Sequence, residues 1–414
     1  MFSNIFRIIE TRSFKPLKFT KINAEYIDND VEDIGIYIHI PFCKKLCSFC
    51  PYNKVKYDEA LSLRFKDALL KEIHLIGDYY KKRNITSIYF GGGTPSLMIE
   101  ELNDIIITLK EVFNINCDIG IELHPSDITK DLAKKLKDIG FTMVSIGIQS
   151  FQQKELKTLG REFIDGDEKV TILKNEKFKV IDVDLIFGIN GQSIEDLKKD
   201  FITAFENGAT QVSTYPFIDF SYANNRNKPL GRKEKKVLLN SLETLREELN
   251  LKRTSVWTFG KESVPKYSSI TRDAYIGFGT SAASLTKKYF KINTFSVEEY
   301  ISAVNNDNNP KSLTMDFTER LRALYWCFWN AYTLEFNNDN FRKIFKKDIE
   351  NIFKIELLLS RVLGIIKKTK NGYKLTEFGI YLYHLVEQHY THQYIDKTWQ
   401  ICGQTSWPDE IDLY

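Results

Sequence analysis

From residue 35 to about residue 217 the chain alternates short β-branched apolar runs with longer stretches in which apolar residues recur every three or four positions. The short runs Gly35–Ile40, Ser87–Phe90, Ile119–Leu123, Met143–Ile148, Val180–Phe187 and Gln211–Pro216 predict strands. The longer pattern predicts helices near 58–79, 100–112, 129–138, 152–158 and 194–207, with a sixth at about 232–249 after a polar loop. Helix starts carry capping residues: Ser126 or Thr129 before Asp131, and Ser193 before Glu195 and Asp196. Strands that are apolar nearly throughout need cover on both faces, so repeated βα units of this kind predict an α/β fold with a parallel sheet. Six units are too few to close an eight-stranded barrel. The expected architecture is therefore a partial (β/α)6 barrel, with a doubly wound flat sheet as the alternative.

Residues 218–235 and 305–311 have loop composition, and beyond Thr314 the pattern turns mainly helical. Gly364–Lys367 and Gly372–Thr376 predict a small hairpin, with a helix at 377–389. Three regions are expected: an N-terminal extension (1–34), the barrel with its own extension (35–300), and a winged-helix-like C-terminal domain (312–414). Winged helices often bind DNA, but 58 Lys and Arg against 55 Asp and Glu leave a formal charge of only +3. That balance argues against nucleic acid or an anionic membrane as partner, and the C-terminal domain is expected to act as support or lid. Arg7, Glu10 and Arg12 interrupt the start too early for a signal peptide, and no apolar run reaches membrane-span length, which predicts a cytoplasmic protein. The 29 Phe and 21 Tyr exceed what a core alone calls for and suit a site for a large flat or apolar ligand.

Six cysteines do not make a disulfide framework in a chain this long, but three of them, Cys43, Cys47 and Cys50, fall in a C-x3-C-x2-C run directly after the first strand. Such a triad can converge on one metal site. A 4Fe–4S cluster normally takes four thiolates, so three leave one iron open to an outside ligand. The amino and carboxylate groups of S-adenosylmethionine can fill that position, placing the sulfonium where one electron breaks a carbon–sulfur bond. The competing reading is a structural zinc site completed by His39, although alternation along a strand makes His39 a poor fourth ligand.

The remaining polar signals cluster at strand ends, the place where parallel βα folds put their active sites. Gly91-Gly92-Gly93-Thr94-Pro95 closes the second strand, and its glycines let backbone amides approach a ligand. Glu122, Gln149 and Asp184 end the third, fourth and fifth strands. An acid there can bind a ribose hydroxyl or an ammonium group; a cap or a solvated loop is the bland alternative. Arg161 is either a partner for a substrate or cofactor carboxylate or a surface charge.

Tyr37-Ile38-His39-Ile40-Pro41-Phe42-Cys43 with the triad, Gly-Gly-Gly-Thr-Pro-Ser, Ile146-Gly147-Ile148-Gln149-Ser150-Phe151, Asp184-Leu185-Ile186-Phe187-Gly188 and Gly277-Phe278-Gly279-Thr280-Ser281-Ala282 together resemble the radical S-adenosylmethionine superfamily. More closely they resemble the branch of oxygen-independent coproporphyrinogen III oxidase and its heme-trafficking relatives. The resemblance implies that Cys43, Cys47 and Cys50 hold the cluster, and that Tyr37, Phe49, Gly92, Gly93, Thr94 and Glu122 line the S-adenosylmethionine site. It places Gln149, Arg161 and Asp184 by a second S-adenosylmethionine or the substrate. It also implies a tetrapyrrole or heme as small-molecule substrate and an electron donor such as flavodoxin or ferredoxin. The chain departs from the oxidase at Tyr52, where that enzyme has a further cysteine, and lacks a His-Asn-Arg-Tyr-type stretch before Gly277, reading Trp257-Thr258-Phe259-Gly260 and Tyr267–Asp273 instead. Three activities stay open: oxidative decarboxylation of a tetrapyrrole propionate, methyl transfer with two S-adenosylmethionine molecules, and heme carriage with little catalysis.

Overall fold

The computed structural model describes residues 17–21, 33–77, 79–80, 83–223, 225, 227–262 and 273–413. Most of the expected N-terminal extension and the stretch 267–272 lie outside these. Six parallel strands form as the pattern predicts: β1 (Asp33–Ile40), β2 (Asn84–Gly92), β3 (Ile119–Leu123), β4 (Met143–Gln149), β5 (Val180–Phe187) and β6 (Gln211–Pro216). Each pairs with the next in chain order. A doubly wound sheet reverses its strand order at a switch point, and this one does not. Right-handed crossovers that always advance in one direction put the helices on one side and bend the sheet toward a barrel. The connecting helices are α1 (Glu59–Gly77), α2 (Ile99–Val112), α3 (Lys130–Ile139), α4 (Gln153–Thr158), α5 (Gly166–Asn175) and α6 (Ile194–Asn207), with α7 (Arg232–Glu248) after β6. The helix α5 is a finding: residues 152–175 form two helices where the pattern predicts one.

Among the described residues the sheet does not close. Past β6 it gains Thr258–Gly260 and Lys252–Arg253; past β1 it gains Tyr275–Phe278, Ala283–Leu285, Tyr289–Asn293, Lys311–Asp316, Leu17–Lys21 and Glu410–Leu413. Only Tyr275–Phe278 continues the parallel run. These flanking strands have two to six residues each and little regular alternation, so they escape a periodicity reading.

The central strands differ from the expected all-apolar type. Their outer residues, among them Ile38, Phe90, Ile121, Val144, Val183 and Leu185, are buried in the main core under the helices. Their inner residues have an apolar floor of Tyr37, Tyr89, Met143 and Val180, above which the register aligns Glu122, Ser145, Asp182 and Gln211 across four neighbouring strands. The Asp182-Val183-Asp184-Leu185 alternation is the sequence trace of this polar interior.

The rest of the chain forms α8 (Val297–Asn305), α9 (Glu319–Tyr332), α10 (Asn338–Phe345), α11 (Ile349–Val362), α12 (Glu377–Tyr390), a π-helical turn (Thr391–Asp396) and α13 (Lys397–Gln404). The expected hairpin forms from Ile366–Thr369 and Gly372–Leu375, joined by a third strand, Glu335–Asn337. No helix among the described residues is long and apolar enough to cross a membrane.

Candidate active site

The cysteine loop begins where β1 ends and is tied down at its base. Phe42–Cys43 pairs with Val55–Lys56, while Gly93 N–H donates to Ile40 O at 2.7 Å and Thr94 N–H to Phe42 O at 2.7 Å. Glycine is required for this approach: a Cβ on Gly93 would lie 2.5 Å from Phe42 O, and Gly92, at φ +111°, would place one 2.7 Å from the His39 ring. The glycine turn thus builds the cysteine loop as well as lining the site.

Cys43 is buried, its thiol is pushed up to about 11 mainly by burial, and Thr94 Oγ1 donates to its sulfur at 3.6 Å. Burial also raises Cys50, and Cys47 lies within electrostatic reach of both. Among the described residues no three His, Cys, Asp or Glu side chains converge on a single ion. Both His39 nitrogens are engaged, Nδ1 with the Tyr37 hydroxyl at 3.0 Å and Nε2 with Asn53 O at 2.9 Å. That removes His39 as the fourth ligand of a zinc site. Thiolates of a cubane bind separate irons, a looser requirement than convergence on one ion, and the triad fits it.

Arg161 lies within electrostatic reach of all three thiols and of Asp184. Its Nη1 donates to Gly147 O at 2.6 Å, its guanidinium lies 5.9 Å from the Phe49 ring centre, and its Nε is buried without a hydrogen-bond partner. It is not a surface charge. Glu122 Oε1 accepts from the Tyr89 hydroxyl at 2.8 Å and Oε2 from Gly92 N–H at 3.1 Å. Burial pushes its carboxyl up to about 7 against the pull of those bonds. Asp184 accepts from Ser145 Oγ at 2.7 Å and is raised well above the usual range by burial and by neighbouring Asp182. Gln149 holds φ +73° at an irregularity in β4, its amide folded over Gly147. Phe49 packs with Leu159, Ile186, Ile189 and Phe217.

The structure therefore gathers the expected residues at one end of the barrel, with Tyr37 lower, on its floor. Asp182, Ser145, Tyr89 and Asp200 were not singled out by sequence. Asp182 accepts from Gln211 Nε2 (2.8 Å) and Ser213 Oγ (2.9 Å) and is pushed up to about 6 by burial. Asp200, on α6, accepts from Ser150 Oγ, Phe151 N–H and Gln152 Nε2 and so fixes the loop that follows β4.

A family description decides what such a site belongs to: residues 37–202 match the Radical SAM superfamily. The chain carries a radical SAM domain. Members of this superfamily bind a 4Fe–4S cluster and S-adenosylmethionine. The chain is 33% identical over 206 residues to anaerobilin synthase of Escherichia coli O157:H7, covering 48% of this chain and 45% of that protein. It is 23% identical over 360 residues to the heme chaperone HemW of Bacillus subtilis, covering 83% and 95%. The alignments to the more identical relatives span about half of those proteins or less. The fold matches coproporphyrinogen III oxidase (HemN) of Escherichia coli with TM-score 0.73 over 87% of this chain and 90% of that one, at 20% identity. In sequence and in fold the chain is thus similar to proteins named HemW and HemN.

The residues present fit the superfamily's cofactors. Three thiols lie within electrostatic reach of an arginine with an unspent donor, and a buried carboxylate is bonded to the glycine turn.

Proposed function

We propose that the protein cleaves S-adenosylmethionine reductively and uses the resulting radical on a tetrapyrrole. When bound, the cluster supplies one electron to the sulfonium, and the products are methionine and a 5′-deoxyadenosyl radical. Cys43, Cys47 and Cys50 hold the cluster in this reading. Arg161 pairs with the methionyl carboxylate through its unpaired Nε side, while Glu122 and the Gly92–Gly93 backbone take the ammonium. Thr94 steadies the Cys43 sulfur, Tyr37 supports the floor, and Phe49 with its apolar partners keeps water from the radical. Gln149 and Asp184 lie where they can hold ribose hydroxyls or a second S-adenosylmethionine. The observation that carries the reading is Arg161, a cation with a buried, unmatched donor within electrostatic reach of three thiols.

Oxidative decarboxylation of a propionate is the first assignment: a hydrogen atom is abstracted, carbon dioxide leaves, and the remaining electron passes to an acceptor. The second reading is methyl transfer with two S-adenosylmethionine molecules. It draws on Tyr52, which replaces the oxidase's further cysteine, and on the likeness to anaerobilin synthase. The test is anaerobic reconstitution with a reductant such as flavodoxin, then mass spectrometry of nucleosides with coproporphyrinogen, heme or neither. Carbon dioxide with 5′-deoxyadenosine supports decarboxylation, and added S-adenosylhomocysteine supports methyl transfer. Stoichiometric heme binding without turnover, the outcome the HemW likeness calls for, refutes both.

A further inference from the structure

The outer face of α11 is apolar and uncovered. Ile355, Leu358, Leu359, Val362 and Leu363 recur at the i, i+3, i+4, i+7 and i+8 spacing of one helix face, and each is between 54% and 75% exposed. The inner face of the helix, Ile349, Phe353 and Leu357, is buried. A helix apolar on both faces belongs in an interior, so the outer face lacks its cover. The start of α12 is tied to the C-terminal end of this helix: Thr376 N–H donates to Ile365 O at 3.0 Å and Thr376 Oγ1 to Gly364 O at 2.5 Å. Phe378, two residues on, is 57% exposed. Six large apolar side chains in this condition reach the few hundred Å² at which an exposed patch marks an interaction site.

The charges around the stripe point to what covers it. Residues 349–376 hold six Lys and Arg, all exposed, against two Glu, a local excess that the near balance of the whole chain conceals. Both acids are engaged: Glu350 Oε1 accepts from the Tyr373 hydroxyl at 2.9 Å, and Glu356 pairs with Arg320 of α9. Lys354 and Arg361, two turns apart, border one edge of the stripe. Lys367, Lys368, Lys370 and Lys374 lie on the hairpin, which the Tyr373 bond ties to the first turn of α11. A second copy is a poor cover, because antiparallel α11 helices related by a two-fold axis would set the Lys354–Arg361 edge against itself. Duplex DNA is a poor cover too. α11 follows α10 as the second helix of a helix-turn-helix, the one that reads base edges, and the stripe offers no donor or acceptor to read them with. An apolar ridge among lysines suits an anionic lipid surface: the ridge enters the acyl boundary while the cations stay with the phosphates.

We propose that α11 and the hairpin after it dock the protein in the plane of an anionic membrane. Ile355, Leu358, Leu359, Val362 and Leu363 sink into the headgroup boundary, and Lys354, Arg361 and the hairpin lysines pair with lipid phosphates. The attachment is peripheral, made by one helix face and a ring of cations, and it weakens as salt screens the phosphates. It does not depend on the reaction in the barrel, so either can fail without the other.

The test floats the full chain with vesicles of phosphatidylcholine alone and of phosphatidylcholine with about one-third phosphatidylglycerol. The anionic vesicles are expected to bind about a hundredfold tighter, and raising KCl from about 0.1 M to about 0.5 M should remove most of the difference. Lys367→Gln, Lys368→Gln and Lys370→Gln together should weaken anionic binding about a hundredfold, at about fivefold per charge. Val362→Glu, which sets a carboxylate in the stripe, should weaken it about tenfold or more. All four positions are exposed, so unchanged thermal melts separate lost docking from lost folding. No binding by the wild type, equal binding to the two vesicle types, or variants that bind like the wild type overturns the proposal. A wild-type dimer in sedimentation that Val362→Glu dissociates, without vesicle binding, gives the stripe to a second copy and overturns it as well. Tight binding of duplex DNA that the lysine variant loses, again without vesicle binding, gives the face to nucleic acid and does the same.

Discussion

Glu72 offers the sharpest test of how the fold supports the site. It lies fully buried on α1, yet three donors point at its carboxyl: Gly279 N–H at 2.8 Å and the Tyr300 hydroxyl at 2.6 Å on Oε2, and Asn293 Nδ2 at 2.9 Å on Oε1. Burial raises this carboxyl while those donors pull it back. Gly279, at φ +96°, is pressed so closely on β1 that a Cβ would lie 2.4 Å from His39 O. Glu72 therefore pins the turn that backs the strand leading into the cysteines. Glu72→Gln keeps the volume but turns one acceptor into a donor that faces a donor. One buried bond is lost at about 1–3 kcal/mol, and Glu72→Ala loses three and opens a cavity, at about 4–6 kcal/mol.

For a chain of this length the unfolding entropy is about 0.9 kcal/mol per kelvin, so the expected falls in Tm are about 2 °C for Glu72→Gln and about 6 °C for Glu72→Ala. Tyr300→Phe should cost about 1 kcal/mol, and less when Glu72 is already Gln, because the two share one bond. Calorimetry gives the Tm values, and iron content with visible absorption after anaerobic reconstitution reads the cysteine loop. Cluster loading should fall in the order wild type, Glu72→Gln, Glu72→Ala. A Glu72→Ala protein with unchanged Tm and full iron content would refute the reasoning.

Replacing any of Cys43, Cys47 or Cys50 by Ala should abolish the brown chromophore or S-adenosylmethionine cleavage, whereas Cys117→Ala and Cys327→Ala should spare both; a fully active Cys47→Ala protein refutes the cluster assignment. Arg161→Lys removes the planar fork that spans Gly147 O and the thiol side, so the Kd for S-adenosylmethionine should rise about tenfold or more by equilibrium dialysis; an unchanged Kd contradicts the carboxylate pairing. Asp200 is pushed up to about 6 by burial, against about 3.9 in an unfolded chain, so its stabilising contribution is full below about pH 4 and lost as pH rises through 6. Relative to Asp200→Asn, which does not titrate, the wild type should lose about 3 kcal/mol across that window in urea titrations; parallel curves would show that the carboxyl is not perturbed.

What the sequence discloses and what it hides follow from how far each residue's partners lie along the chain. The cysteine triad and the Gly91–Thr94 turn are legible because each does its chemistry within a few residues of itself. The polar interior is half legible: the Asp182–Asp184 alternation shows it on β5, but only the register reveals that Glu122, Ser145 and Gln211 complete the layer. Flanking strands such as Ala283–Leu285 are too short to carry a period, and their pairing is set by the neighbour they meet. The supporting acids left a signal of another kind. Glu72 falls on the α1 stripe of Phe65, Leu69, Ile73 and Ile76; Asp200 falls on the α6 stripe of Leu197, Phe201 and Ala204; Glu387 follows Ile380 and Tyr383 on α12. An acid on the buried face of an amphipathic helix cannot be solvated there, so the fold must give it donors or a ligand must. Glu72 and Asp200 have their donors from the Gly279 turn and from the loop after β4, the segments that position the site. Glu387 has Thr391 on one oxygen, and its second oxygen is buried without a hydrogen-bond partner.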